Sequence, residues 1–148
     1  MRQKSTSLRD TKKIAAEIIR LGEKKNRNGA LVFALSGPLG SGKTSFVRSA
    51  ATLYGIPQKK ITSPTFVLVK KYNIKKHGEL SQLFHADAYR IATKKEFENA
   101  GFRNILQNKD AVLFIEWAEN IKRFLPKNSV WIYIAYGKKD KERKITTL

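Results

Sequence analysis

Cysteine is absent from the 148 residues, which excludes a disulfide framework and any metal site built on thiolates. Its absence suits a reducing compartment. Long apolar runs are missing too. Those present, such as Ala30 to Leu35, are far shorter than the roughly 20 residues a membrane-spanning helix needs. Met1 to Ser7 leads into no apolar stretch of the kind a secretory leader carries. The expectation is a soluble, cytoplasmic protein with no membrane contact. Acidic residues are also scarce: 12 Asp and Glu stand against 30 Lys and Arg, for a net charge of +18. A field of that sign favours polyanions, nucleic acid first among them. Most of the cations, however, are lysines, and many of these fall in pairs spread along the whole chain, as a lysine-rich background would also produce. Both readings stay open on composition.

What is present is concentrated in one stretch, Ala30 to Val47. It joins an apolar strand to Gly37-Pro38-Leu39-Gly40-Ser41-Gly42-Lys43-Thr44 and then to a helix start. This is the P-loop pattern G-x-x-x-x-G-K-[ST]. Its glycines let backbone N–H groups turn inward around phosphates, its lysine reaches the β/γ oxygens and its hydroxyl can ligate Mg²⁺. The helix N-terminus adds a positive field.

Along the chain, Ser7 to Asp10 reads as a helix cap, and Ile14, Ile18 and Leu21 recur at helical spacing, predicting a helix over 8–24. The unbroken apolar strand over 30–35 predicts burial on both faces, as in a parallel sheet covered by helices. Val47, Ala50, Ala51 and Tyr54 form the inner stripe of the P-loop helix, which Gly55 and Pro57 end. Thr62-Ser63-Pro64-Thr65 is a hinge-like loop carrying hydroxyls, because Pro64 forces Ser63 toward extended geometry. Strands are expected over 66–72 and 80–86, with a turn over 75–79 between them. A capping box at Thr93 to Glu96 starts a short helix that Gly101 ends. The second long apolar strand, 111–115, delivers Glu116 and Trp117 at its C-terminal end, the edge where open α/β sheets bind ligands. A helix over 118–124 and a hairpin of strands 130–136 and 144–148 complete an α/β fold. Without repeat or linker, residues 1–148 read as a single domain of this class.

A P-loop site needs a carboxylate near its Mg²⁺, usually at the end of an apolar strand beside the P-loop strand. Glu116 is the first choice on spacing and Asp87 the second. His85 has no second imidazole or thiol near it and reads as a core residue rather than a metal ligand. Trp117 either covers a nucleotide or packs.

The ordered set of P-loop, Ser63-Pro64-Thr65-Phe66, His85-Ala86-Asp87-Ala88-Tyr89-Arg90, Glu96 to Gly101 and Glu116-Trp117 resembles the TsaE family over nearly the whole chain. These are small bacterial P-loop ATPases of tRNA threonylcarbamoyladenosine synthesis. The resemblance implies a P-loop NTPase-like mixed sheet flanked by helices, ATP and Mg²⁺ as cofactors, and TsaD- and TsaB-like partners, with tRNA met mostly through those partners. It assigns Leu39, Gly40, Ser41, Gly42, Lys43 and Thr44 to nucleotide binding and Thr44 and Glu116 to the metal. Asp87, Glu116 and Thr65 become the catalytic residues, Ser63, Pro64, Thr65 and Phe66 a switch-like loop, and Trp117 a nucleotide neighbour. One position departs from the family pattern. Pro38 stands where Asp is common, removing an acidic side chain and one N–H early in the loop. The rival classes are a small-molecule or nucleoside kinase, which needs a second pocket and an arginine-bearing lid, and a basic nucleic-acid-binding module.

Overall fold

Two unbroken apolar segments decide the centre of the computed structural model, which describes residues 1–65 and 67–148. β2 (Leu31–Ser36) and β5 (Ala111–Glu116) are buried along almost their whole length, so both faces of each must be covered by helices. They pair in parallel, from Leu31 beside Val112 to Leu35 beside Glu116. β4 (Leu80–Asp87) joins β5, and β6 (Val130–Tyr136) joins β2, again in parallel. Antiparallel strands extend both sides: β3 (Val69–His77) on β4, β7 (Arg143–Thr147) on β6, and β1 (Arg2–Ser5) on β7. The result is one seven-stranded mixed sheet in the order β1-β7-β6-β2-β5-β4-β3.

Alternation along the strands sorts the core into two layers. Phe33, Leu35 and Phe114 face α1 (Leu8–Glu23) and α2 (Lys43–Ala51), with the rings of Phe33 and Phe114 stacked 5.0 Å apart. Val32, Ala34, Leu113 and Ile115 face the opposite layer. There α3 (Lys94–Asn99), α4 (Phe102–Gln107) and the 3-10 turn Ala118–Phe124 supply Phe97, Phe102 and Ile121. No helix among the described residues is long and apolar enough to cross a membrane.

α1 begins as its sequence predicts. Ser7 accepts the N–H of Asp10, whose carboxylate in turn accepts the N–H and hydroxyl of Thr6. Its buried arc centres on Ala15, Ile18 and Gly22, however, which leaves the expected stripe residue Leu21 exposed at the rim. A Cβ at position 22 would stand 2.8 Å from the Phe33 ring, so the helix is seated too closely there for any side chain. The α2 stripe is as expected, with Val47, Ala50, Ala51 and Tyr54 all buried.

Four expectations change. The strand expected over 66–72 begins only at Val69, because Val67 and Leu68 both donate to Pro64 O and Leu68 adopts φ +62°, turning the chain back on itself first; Phe66 lies outside the described residues. The same strand runs on to His77, so the turn tightens onto Gly78. The 118–124 helix is 3-10, broken at Ile121 (φ −119°). β1 and α4 form where no element was expected: β1 is short and polar, and α4 is a six-residue continuation after the left-handed Gly101.

The stacked Phe33 and Phe114 carry the α1/α2 layer, and both are fully buried. Phe33→Ala is expected to cost about 3–5 kcal/mol in urea denaturation, whereas Leu21→Ala at the exposed rim should stay within about 0.5 kcal/mol.

Candidate functional site

Three parallel strands end together at one edge of the sheet. The register pairs Leu35 of β2 with Glu116 of β5, and Glu116 with Asp87 of β4. The segment 37–42 then loops over that edge into α2. Two of its glycines are required by geometry. A Cβ on Gly37 would stand 2.2 Å from Ile134 O, so the loop can leave β2 only by touching β6. Gly42 takes φ +102° immediately before α2, and where its Cβ would point there is open space. Pro38 keeps a role through its carbonyl, which accepts from Ser41 N at 3.1 Å and Lys43 Nζ at 3.0 Å.

The side chains assigned to phosphate and metal chemistry meet in a cavity of about 280 Å³ lined by Leu39, Gly40, Gly42, Lys43, Thr44, Ser63, Thr65, Asp87, Glu116 and Trp117 among others. Lys43 is only 5% exposed and donates to Gly37 O (2.6 Å) as well as Pro38 O, with its ammonium 3.9 Å from the centre of the Trp117 ring. Burial pushes its pKa down, and the carboxylates of Glu116, Glu119 and Asp87 pull the other way. Thr44 Oγ1 lies 2.7 and 2.9 Å from the two oxygens of Glu116. Asp87 accepts from Thr65 Oγ1 at 3.2 Å and from Tyr89 N at 2.9 Å, and Thr65 is in turn 2.7 Å from Ser63 Oγ. Pro64, between them in the chain, is buried. Trp117 adopts φ +56°, uncommon for a bulky residue, and this turns its ring toward Lys43 and against Tyr89 at 4.9 Å. Trp117 therefore packs against Tyr89 and also lines the cavity.

A hydroxyl and carboxylates are hard oxygen donors of the kind Mg²⁺ takes. Among the described residues no group of three or more His, Cys, Asp or Glu side chains is arranged to hold a metal ion. A Mg²⁺ ion held by these donors would take its remaining ligands from phosphate oxygens and water, as is usual for this ion. The open cradle at Gly42 and the inward lysine fit the phosphate.

Two features escaped the sequence. His85 is fully buried, as expected, but its Nε2 lies 2.7 Å from Glu116 Oε1. A second cavity of about 280 Å³ also flanks Gly40 to Gly42, lined by Ser5 to Leu8, Phe46, Ile134, Lys141 and Arg143. Its walls come from the β1–α1 connection and the β6–β7 hairpin, segments without a motif. The same hairpin straps the P-loop from outside. Arg143 Nε donates to Ser41 O at 3.0 Å, the Tyr136 hydroxyl donates to Leu39 O, and the guanidinium lies 5.0 Å from the centre of the Tyr136 ring. Two of the loop's carbonyls are thus held by side chains of the hairpin.

The model of the family described as threonylcarbamoyl adenosine biosynthesis protein TsaE matches residues 5–145. The tRNA threonylcarbamoyladenosine biosynthesis protein TsaE of Treponema pallidum is 38% identical over 132 residues, covering 89% of this chain and 89% of its own. That of Haemophilus influenzae is 37% identical over 130 residues, covering 87% and 75%. The crystal structure of YdiB from Bacillus subtilis matches with a TM-score of 0.68 at 31% identity, over 99% of this chain and 83% of that one.

The hairpin strap is itself pinned by charge. Glu142, in the β6–β7 turn, pairs with Lys4 of β1 at 2.8 Å. The Lys4 hydrogen bond, aided by Lys138 N–H and opposed by burial, holds the Glu142 carboxyl below its ordinary value of 4.5. A depressed carboxylate contributes stability above its ordinary pKa and loses it as pH falls through the folded value. Glu142→Gln should therefore melt below wild type at pH 7, with the deficit shrinking as the pH falls below the ordinary carboxyl value, in thermal scans followed by circular dichroism.

Proposed function

Because the chain belongs to the TsaE family of tRNA threonylcarbamoyladenosine biosynthesis proteins, we propose that it binds ATP with Mg²⁺ in the P-loop cavity and hydrolyses it. The hydrolysis drives a conformational change felt by TsaD- and TsaB-like partners in the cytoplasm, and tRNA is contacted mostly through them. The observation that carries this reading is the convergence of Lys43, Thr44, Glu116 and Asp87 on one cavity at the ends of parallel strands.

In this reading Lys43 leaves the carbonyls of Gly37 and Pro38 for the β/γ-phosphate oxygens, exchanging two neutral acceptors for anionic ones. Thr44 and Glu116 hold the metal. A Mg²⁺ ion held there would supply charge neutralisation on the phosphates. Asp87, already in contact with Thr65, accepts a hydrogen bond from the attacking water, while the Ser63–Thr65 hydroxyl pair registers the γ-phosphate. The second cavity continues from Gly40 to Gly42 and is the place for the nucleoside, with Leu39 and Ser41 held at its entrance by Tyr136 and Arg143.

A kinase reading is weaker. No arginine lines the phosphate-side cavity among the described residues, and Arg48 is turned away to Ile61 O at 2.9 Å. Incubation with Mg²⁺-ATP and a metabolite panel separates the classes: slow phosphate release without an acceptor supports the ATPase, and a phosphorylated metabolite overturns it.

Lys43→Ala should weaken ATP binding by about 1.5–3 kcal/mol in calorimetry, the worth of a charge-assisted contact. Glu116→Gln should keep the fold and impair Mg²⁺-dependent hydrolysis more than nucleotide binding. Wild-type hydrolysis in that variant, with loss in Asp87→Asn, would move the metal-side role to Asp87.

A further inference from the structure

We propose that His85 is a positioning residue for Glu116: its imidazole donates a hydrogen bond to the carboxylate and fixes the orientation in which Glu116 and Thr44 take the metal. The inference rests on Glu116 being the metal-side acid.

The sheet register brings the pair together. β4 and β5 align Asp87 with Glu116 and His85 with Phe114. Residues two apart on a strand share a face, so His85 and Asp87 point into the α2 side of the sheet with Glu116. His85 is 0% exposed, and Nε2 is 2.7 Å from Glu116 Oε1. Its other nitrogen, Nδ1, is buried with no partner among the described residues. A proton on Nδ1 would be an unpaired buried donor, so the proton sits on Nε2 and points at Glu116.

The contact is asymmetric, and that asymmetry gives it a use. Glu116 Oε1 faces two donors, Thr44 and His85, each at 2.7 Å, whereas Oε2 faces Thr44 alone at 2.9 Å. His85 thus anchors one oxygen and leaves the other to Thr44. It also supplies a donor where Asp87 and Glu116, side by side on the ladder, repel each other. An aliphatic side chain here would avoid burying a half-satisfied imidazole. The placement is explained by what Nε2 does to the carboxylate, as a histidine or carboxylate behind a metal ligand commonly does.

Two measurements test it on the full chain. The first needs neither metal nor nucleotide. The chain has 2 histidines, so ¹⁵N–¹H two-bond correlation spectra of wild type and His77→Gln isolate the His85 ring. An Nε2–H tautomer is expected, and an Nδ1–H tautomer overturns the proposal. The second is ADP binding by calorimetry with and without Mg²⁺. His85→Leu should reduce the Mg²⁺-dependent gain in affinity about 10–100-fold, and His85→Gln, whose amide N–H can reach the same oxygen, should restore it to within a few-fold. A folded His85→Leu with the wild-type Mg²⁺ response, or a folded His85→Gln no better than His85→Leu, overturns it. Glu116→Gln separates the layers. If it keeps the full Mg²⁺ response, the metal-side reading of Glu116 falls and the proposal with it. If it loses the response while His85→Leu does not, only the role of His85 falls.

Discussion

The hydrogen bond between Thr44 and Glu116 ties the first turn of α2 to the end of β5, and the geometry of the site depends on it. It forms only because β2 and β5 pair in a register that carries Leu35 level with Glu116, and because the loop between β2 and α2 returns across that edge within six residues. A slip of one residue would turn Glu116 to the opposite face. The slip is resisted by the apolar alternation behind it: Phe114 would leave the α1/α2 layer and Leu113 would enter it. Packing energy far from the cavity therefore fixes the position of the acid.

A second constraint acts from outside the loop. The β6–β7 hairpin holds Leu39 O and Ser41 O through Tyr136 and Arg143, while Lys43 occupies Gly37 O and Pro38 O from within. The loop's carbonyls are thus taken by donors on both sides. Such a loop is organised before any ligand arrives, so little conformational entropy remains to be lost on binding. Position 38, a proline, has no N–H to lend to this network. That position serves the network through its carbonyl, and the left-handed geometry needed at the helix start resides in Gly42.

Legibility in the sequence followed the reach of the physics involved. β2, β5 and the P-loop could be read because burial on two faces and a phosphate cradle each impose a local pattern. Asp87 and Glu116 could be read because both end apolar strands. Where the deciding contact was distant, the residues were silent. His85 looked like a core imidazole until β4 was laid beside β5, 31 positions apart in the chain. β1 is held by pairing with the other end of the chain, Arg2 beside Thr146, rather than by any alternation of its own. The delayed start of β3 follows from two N–H groups folding back onto Pro64 O, a turn that β-propensity in Val67 and Val69 concealed. Leu21 was misplaced because helical spacing alone allows several arcs, and it took the contact between Gly22 and Phe33 to choose one.

Charge gives the site a character opposite to that of the surface around it. The chain carries only 12 acids against 30 cations, yet three of those acids, Glu116, Glu119 and Asp87, act on Lys43. The global field draws polyphosphates toward the molecule without regard to type. At the cavity they meet carboxylates close to the phosphate cradle. Carboxylates at that place repel a bare polyphosphate, and in the proposed reading a divalent cation between the two sets of oxygens would turn that repulsion into shared coordination. In the proposed reading the few acids supply a discrimination that abundant lysines cannot, for metal-bound nucleotide over the other anions gathered by the surface. On this argument the net charge bears on how often ligands arrive, and the placement of Glu116 and Asp87 bears on which of them stay.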